Sequence, residues 1–443
     1  MNKKNDLPLS TSVSAVPIPE GKLLHDTQHQ SLVEKPLTST RKRCFDGIIC
    51  FGGNDYWYSN RGHYDLRLAV ELSRSIPMLY INSIGMRTPS MNEGSIFWKR
   101  IRRKLKSILR GLVRVDNKLT VVSPLALPNL HGTTLGRRFL AWQVRRAARK
   151  VGIRNPLLWV SCPPAMYCID LLKFDSLVYQ RADRMELFPG APTEIIRQQD
   201  LLAKSQADVT LFCASLLLEQ EGPECRNVAY IDHGVDYERF SAVDRVVDGH
   251  SYIEPEDVKD IPHPRVGYVG GLEPGTFDPK LLNDLASARP DLNFVMVGPD
   301  QLSPGWCVHP NVYFLGGKPY EQAPHYMATC DVLIMPYLQN NEWIEACNPI
   351  KMKEYLAIGR PVISVPFFEL KNYEGLITVA RSVDDWSRAL DEALRPEAHS
   401  KEAVVRRRAR VESETWSHKA QQVLEALAKH DIHPHLSKTG IAN

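Results

Sequence analysis

With 443 residues, 43% of them apolar and 24% charged, the chain has the size and balance of a globular protein of two or more domains. A formal net charge of +4, from 55 basic and 51 acidic residues, excludes a broadly basic surface and confines any positive patch to one region. The nine cysteines show neither a Cys-x-x-Cys pair nor a zinc spacing, which points to reduced thiols, and no run approaches the eighteen or so apolar residues of a membrane-spanning helix.

Residues 1–43 are rich in Ser, Thr, Pro, Lys and Gln and lack an apolar h-region, so they read as a disordered tail and not as a signal peptide. A first domain, residues 44–240, opens with a strand over Phe45–Phe51 that Gly52-Gly53 breaks. A loop to His63, a helix from about Tyr64 to Ser75 and a strand over Met78–Ile81 complete a βαβ unit. No Gly-x-Gly-x-x-Gly pattern follows the strand, so no dinucleotide is indicated. The loop carries Trp57 among other aromatics, with Asn60, Arg61 and His63 as polar groups. It suits either an acceptor-side wall or simple loop packing.

Residues 96–114 have the most unusual composition in the chain. Ile101, Leu105, Ile108 and Leu112 recur at helical spacing, while eight Lys or Arg and no acid occupy other positions. A basic amphipathic helix headed by Phe97 and Trp98, with Arg102, Arg103 and Lys106, suits a membrane surface, with Phe97, Trp98 and Leu112 inserting. A packed helix with a solvated basic face and a nucleic-acid contact are the alternatives. Arg137, Arg138, Arg145, Arg146, Arg149 and Lys150 enlarge the basic character of this half.

Short apolar runs at 119–122, 157–160, 176–179, 208–213 and 228–231 predict further strands alternating with helices. Asp183 stands just past the carboxyl end of one of them, where a carboxylate can act as a base; a helix cap or a pair with Arg181 or Arg184 is the structural alternative. A polar, acidic linker over 241–263 separates a second βα series over 264–400. The turn Gly270-Gly271 after its first strand lets backbone approach a diphosphate. After the strand Asp331–Pro336, Asn348 and Pro349 predict a helix start, and Gly359 with Pro361 its stop. Lys351 and Glu354 then share one face near the N-terminus: the helix end favours a phosphate, the lysine adds a mobile cation, and the carboxylate can accept from sugar hydroxyls. Residues 401–430 read as helical and basic, and 431–443 as a tail.

The segment Asn-Pro-x-Lys-x-x-Glu-Tyr-Leu-Ala-x-Gly-x-Pro-Val at 348–362 resembles the donor site of GT-B glycosyltransferases, notably the bacterial family four (group 1) and exopolysaccharide enzymes. His233-Gly-Val-Asp-x-x-x-Phe240 resembles the signature that closes their first domain, and the segment around Asp183 is similar to that of glucuronosyl-type enzymes. The resemblance implies an α/β GT-B fold, two Rossmann-like domains facing across a cleft, with 401–430 crossing back. It implies a transferase of hexosyl or glucuronosyl type in bacterial surface or exopolysaccharide biosynthesis. Gly270, Gly271, Asn348, Lys351 and Glu354 would hold the donor, Glu354 at its ribose; Asn60, Arg61 and Trp57 would meet the acceptor; Asp183 or His63 would be the base. No cofactor or metal is expected, the UDP- or GDP-sugar being a co-substrate. The expected partners are a lipid-linked saccharide and an anionic membrane, not nucleic acid, with the protein peripheral on the cytoplasmic face of the plasma membrane. The pattern departs from the family at Glu345, which lies nine positions before Glu354 instead of eight. A nucleotide-sugar 2-epimerase on the same fold, or a non-enzymatic basic membrane- or nucleic-acid-binding protein, are the other readings.

Overall fold

The computed structural model describes residues 42–58, 63–85, 95–125, 133–243 and 252–435. Its strands are β1 (Arg43–Phe45), β2 (Gly47–Phe51), β3 (Met78–Ile81), β4 (Leu112–Arg114), β5 (Leu119–Val122), β6 (Pro156–Val160), β7 (Ser176–Arg181), β8 (Val209–Phe212) and β9 (Val228–Tyr230) in the first half. The second half has β10 (Arg265–Val269), β11 (Asn293–Val297), β12 (Val312–Gly316), β13 (Val332–Met335), β14 (Val362–Ser364), β15 (Ile377–Val379) and β16 (Ile432–Pro434). The first sheet runs β4-β5-β3-β2-β6-β7-β8-β9 and the second β12-β11-β10-β13-β14-β15. Apart from the antiparallel edge strand β4, neighbouring strands in both sheets are parallel. Both orders reverse between the first strand and the one that follows the crossover, β2/β6 and β10/β13, where open α/β sheets bind ligands.

These strands read as apolar runs because both faces are covered. Along β2, Ile48 and Cys50 enter one core with the helices Tyr64–Ser73 and Trp416–Ala428, while Ile49 and Phe51 enter another under the helix Thr134–Val151. The second domain is packed around one larger core.

Several boundaries differ from the sequence expectation. The basic helix expected over 96–114 is Ser95–Leu109. Gly111, at φ +66°, turns the chain, and Leu112 and Val113 join edge strand β4 against β5. Leu112 packs against the first-domain core and is unavailable for insertion. The expected tails are shorter as well: β1 begins at Arg43 and pairs in parallel with β16, so 432–434 belong to the fold. Residues 1–41 and 436–443 lie outside the described residues. The 241–263 segment is not a bare linker. Val243, Val258 and Ile261 are buried in the second domain's core together with Val235 and Phe240.

The helix expected to start at Asn348 runs Lys351–Ile358 and ends at Gly359, φ +87°. It carries a buried ionic contact between the domains. Lys353, 1% exposed, pairs with Asp232 at 2.6 Å from the first domain and with Glu414 at 3.2 Å from the returning segment. Lys419 pairs with both of those carboxylates. Glu369 adds a second bridge: one carboxylate oxygen accepts from the Ser215 amide and hydroxyl, the other from Tyr230. Because a buried carboxylate left without its partner is strongly unfavourable, Lys353→Met should lower unfolding stability by about 3 kcal/mol. The denaturant midpoint of the variant is the measurement. An unchanged midpoint would mean that Lys419 alone neutralises Asp232 and Glu414.

Candidate active site

Between the domains lies a cavity of about 890 Å³ whose wall includes His63, Asp183, Gly270, Gly271, Tyr320, Trp343, Lys351 and Glu354. Their backbones all sit at the carboxyl ends of strands, on the loops after β2, β7, β10, β12 and β13 or on the helix behind β13. Topology therefore gathers them.

On the second-domain wall, the two glycines do different work from that expected. A Cβ on Gly270 would stand 2.2 Å from Cε of Lys351, so this glycine makes room for the lysine stem. Its amide donates to the Val297 carbonyl at 2.8 Å, leaving Gly271 as the amide of the pair for a ligand. Gly298, at φ +154°, is required because a Cβ there would meet the Gly270 carbonyl oxygen at 1.8 Å. The Lys351 ammonium lies 5.1 Å and 5.5 Å from the ring centroids of Tyr268 and Tyr337. Glu354 is buried and accepts from the Tyr320 hydroxyl at 3.1 Å. Burial pushes its carboxyl up to about 7, against the opposing pull of the Tyr320 hydrogen bond, Lys351 and Arg67. Arg67, from the first domain, lies over the Tyr320 ring at 4.7 Å.

Asn348 lines the same cavity, yet its side-chain amide donates to the Cys213 carbonyl of the first domain at 2.7 Å. It is not the helix cap, a position held by Ile350. Glu345 faces away, into a second interdomain cavity of about 900 Å³ with Arg184, Gln220, Phe368 and Arg381. Glu345 thus lies outside the wall that holds Glu354.

On the first-domain wall, Asp183 is half-buried and its Oδ1 accepts from Trp343 Nε1 at 3.3 Å. Burial raises the Asp183 carboxyl to about 6, with Trp343 and then Arg181 pulling it down. It is paired with neither nearby arginine. Arg181 binds Glu186 and Glu221 and gives Asp183 only a bond to its carbonyl oxygen at 2.7 Å. Arg184 turns to Gln220. His63 precedes the helix Tyr64–Ser73 without a side-chain capping bond. Protein around the ring lowers its pKa, with Asp65 opposing, although the residue stays open to the cleft. His233 also lines the cavity; it packs on Tyr64 and Trp416, and burial lowers its pKa to about 3.

Trp57 is not in the wall. It is a partly buried residue against the first-domain core, with the Arg110 guanidinium 4.5 Å from its ring, and its neighbour Tyr58 faces the cavity. Asn60 and Arg61 lie outside the described residues. The sequence reading passed over Tyr320, Trp343 and Arg67. The positions of Tyr320, just beyond β12, and of Trp343, beyond β13, were the available signals; Arg67 meets Tyr320 only through a contact between domains. Among the described residues, no group of three or more His, Cys, Asp or Glu could hold a metal ion.

Residues 263–395 match the family model described as Glycosyl transferases group 1. TuaH of Bacillus subtilis (strain 168), named as a teichuronic acid biosynthesis glycosyltransferase, is 29% identical over 226 residues; the match spans 46% of this chain and 54% of that relative. Sucrose-phosphate synthase from Thermosynechococcus elongatus superposes with a TM-score of 0.63 at 14% identity, over 87% of this chain and 98% of the other. Anabaena HepE in complex with UDP and glucose gives 0.60 at 14% identity, over 87% and 99%. The chain thus has the GT-B fold and resembles the group 1 glycosyltransferases, whose family model its second domain matches.

Proposed function

We propose that this protein transfers a hexosyl or uronosyl group from a nucleotide sugar to a lipid-linked saccharide in bacterial surface polysaccharide assembly, at the cytoplasmic face of the membrane. The observation that carries the reading is the facing pair of walls: Lys351 and Glu354 on one domain, and on the other Asp183, whose carboxylate is held by the Trp343 indole and by neither nearby arginine. Solved neighbours with UDP or UDP-glucose support a uridine diphosphate donor, and the process named for TuaH, teichuronic acid biosynthesis, supports a role in polysaccharide assembly. In this reading Glu354 accepts from ribose hydroxyls, while Lys351, the Gly271 amide and the N-terminus of the Lys351–Ile358 helix stabilise the departing diphosphate. Asp183 takes the acceptor hydroxyl proton as that oxygen bonds to the anomeric carbon, and the bond to the diphosphate breaks with its electron pair.

Membrane attachment rests on two helices. Among the described side chains of Ser95–Leu109, Ser107 is buried and Lys104 bonds the Ser83 carbonyl at 2.7 Å, so this polar side faces the protein. Trp98 (67% exposed), Leu105 and Leu109 (84%) point outward, beside Arg102, Arg103 and Lys106. On Thr134–Val151 a second outward stripe, Leu135 (69%), Phe139 and Trp142, is flanked by Arg138, Arg145, Arg146 and Arg149. An apolar stripe bordered by cations fits an anionic lipid surface. The Phe97 side chain lies outside the described residues. No described helix is long and apolar enough to cross a membrane.

Donor binding tests the first wall. Because free Glu354 titrates near 7, its carboxylate is present above that pH and is lost as pH falls, so UDP affinity should weaken from pH 8 to 6. Glu354→Gln should weaken UDP roughly 10- to 150-fold, as expected for a hydrogen bond to a charged group worth about 1.5–3 kcal/mol. It should also remove the part of the pH dependence that the diphosphate itself does not cause. Calorimetry across pH reads both, and wild-type affinity in a folded Glu354→Gln protein would sink the assignment.

For the base, Asp183→Asn should keep UDP affinity and lower single-turnover transfer by about two to four orders of magnitude. The wild-type rate should fall as pH drops through about 6. His63→Ala should cost less in turnover. Near-normal transfer by Asp183→Asn would make His63 the leading base.

Co-sedimentation with vesicles containing phosphatidylglycerol should fall with salt. Charge reversal to Glu at Arg102, Arg103 and Lys106 should lower it more than 100-fold, at about 1 kcal/mol per basic residue. Changing Leu135, Phe139 and Trp142 to Ser should weaken it independently. Equal binding to neutral and anionic vesicles would refute the electrostatic part.

A further inference from the structure

The contact between Trp343 and Asp183 joins a side chain of the second domain to the carboxylate that faces it from the first. Trp343 is held firmly on its own side. Asn341 accepts from the backbone amides of Trp343 at 2.9 Å and Ile344 at 3.1 Å, and its amide donates to the Gly275 carbonyl at 3.2 Å. The tryptophan is therefore tied to the loop that begins at Gly270-Gly271. Its indole packs on Phe188 of the first domain, centroids 4.7 Å apart, and presents Nε1 to Asp183. Beside it, Arg184 and Glu342 approach to 3.8 Å across the same boundary.

The first domain supplies no comparable restraint. The charged groups around Asp183 on its own side are Arg181, Glu186 and Arg184. Arg181 is already bound to Glu186, Asp200 and Glu221, and Arg184 to Gln220. From the second domain come Glu342 and the buried thiol of Cys347, while Cys213 contributes a buried thiol from the first. Burial raises both thiols, so they are neutral at neutral pH. Among the described residues, the side-chain hydrogen bond to the Asp183 carboxylate thus comes from the other domain.

We propose that Trp343 is a positioning residue that orients the Asp183 carboxylate from across the domain boundary. The inference rests on the reading of Asp183 as the base. It adds that the base is completed by the donor-binding domain, so acceptor activation is coupled to the loop after Gly271. An indole N–H donating to a carboxylate stabilises the charged form, and its removal raises the midpoint of that carboxyl.

The test is a carboxyl ¹³C NMR titration of the full chain, with the Asp183 resonance assigned by its loss in Asp183→Asn. Trp343→Phe retains the ring against Phe188 and should bind UDP normally, which verifies its fold. In it the Asp183 midpoint should rise by about one pH unit, the equivalent of one hydrogen bond to a charged group. UDP brings negative charge into the same cavity and should raise the midpoint in both proteins, leaving the difference between them in place. An unchanged midpoint in Trp343→Phe overturns the proposal. Near-normal transfer by Asp183→Asn would instead remove the base reading and leave the NMR result standing, so the two failures are distinguishable.

Discussion

A buried ammonium at Lys353 sets the geometry on which the cleft depends. Its neutralising carboxylates, Asp232 and Glu414, belong to the first domain and to the returning segment, not to its own sheet. Moving the helix away from them would leave charge uncompensated out of water, a penalty of several kcal/mol. Lys351 and Glu354 are three residues apart on the same short helix and face the cavity, while Lys353 points to the ionic cluster. One helical turn therefore fixes both the site and its relation to the opposing wall.

The opposing walls follow from topology. Two parallel sheets with their carboxyl ends toward one cleft bring together loops that are far apart in sequence, and the site is made of those loops. Packing refines it. Gly298 admits the Gly270 carbonyl and Gly270 admits the lysine stem, so two missing Cβ atoms place Lys351 beneath the turn. The tyrosines brace the same region: Tyr355 accepts from the Val269 amide at 2.9 Å, and Tyr268 donates to the Gly271 carbonyl at 2.9 Å. The turn is thus held by hydrogen bonds and not by glycine flexibility.

Buried parallel strands are easy to read because they are short, apolar and bounded by turn residues, and most strands of both series were legible for that reason; the largely exposed edge strand β15 was not. The Lys351–Glu354 pair was legible because helical spacing is local. Partners that meet through space were not. Nothing near Asn348 in the chain shows that its amide reaches Cys213, and nothing near Trp343 shows that its indole reaches Asp183. Apolar spacing carried the basic helix through Leu112, yet Gly111 is the stronger signal, since its positive φ ends the helix and begins an edge strand. Strand β16 is three residues long and exists only because β1 lies beside it, so no local pattern separates it from a tail.

The orientation of Ser95–Leu109 follows from what the sheet offers it. The carboxyl ends of β3 and β5 present Asn82 and Ser123, which hydrogen-bond with Ser107, and Ser107 in turn donates to Asp55 at 2.9 Å. Polar groups at the sheet edge recruit the polar side of the helix, and Trp98, Leu105 and Leu109 are left outside. Fully burying a large apolar side chain is worth about 1.5–3 kcal/mol, so leaving three exposed forgoes a substantial stabilisation. An apolar phase with an anionic rim would recover it and also satisfy the neighbouring Arg102, Arg103 and Lys106. The same network ties the helix to the loop that places Tyr58 in the cleft wall, and Arg103 and Arg110 lie 5.7 and 5.8 Å from its ring. The surface proposed to meet lipid and the wall proposed to meet a lipid-linked acceptor are therefore joined through one hydrogen-bonded network.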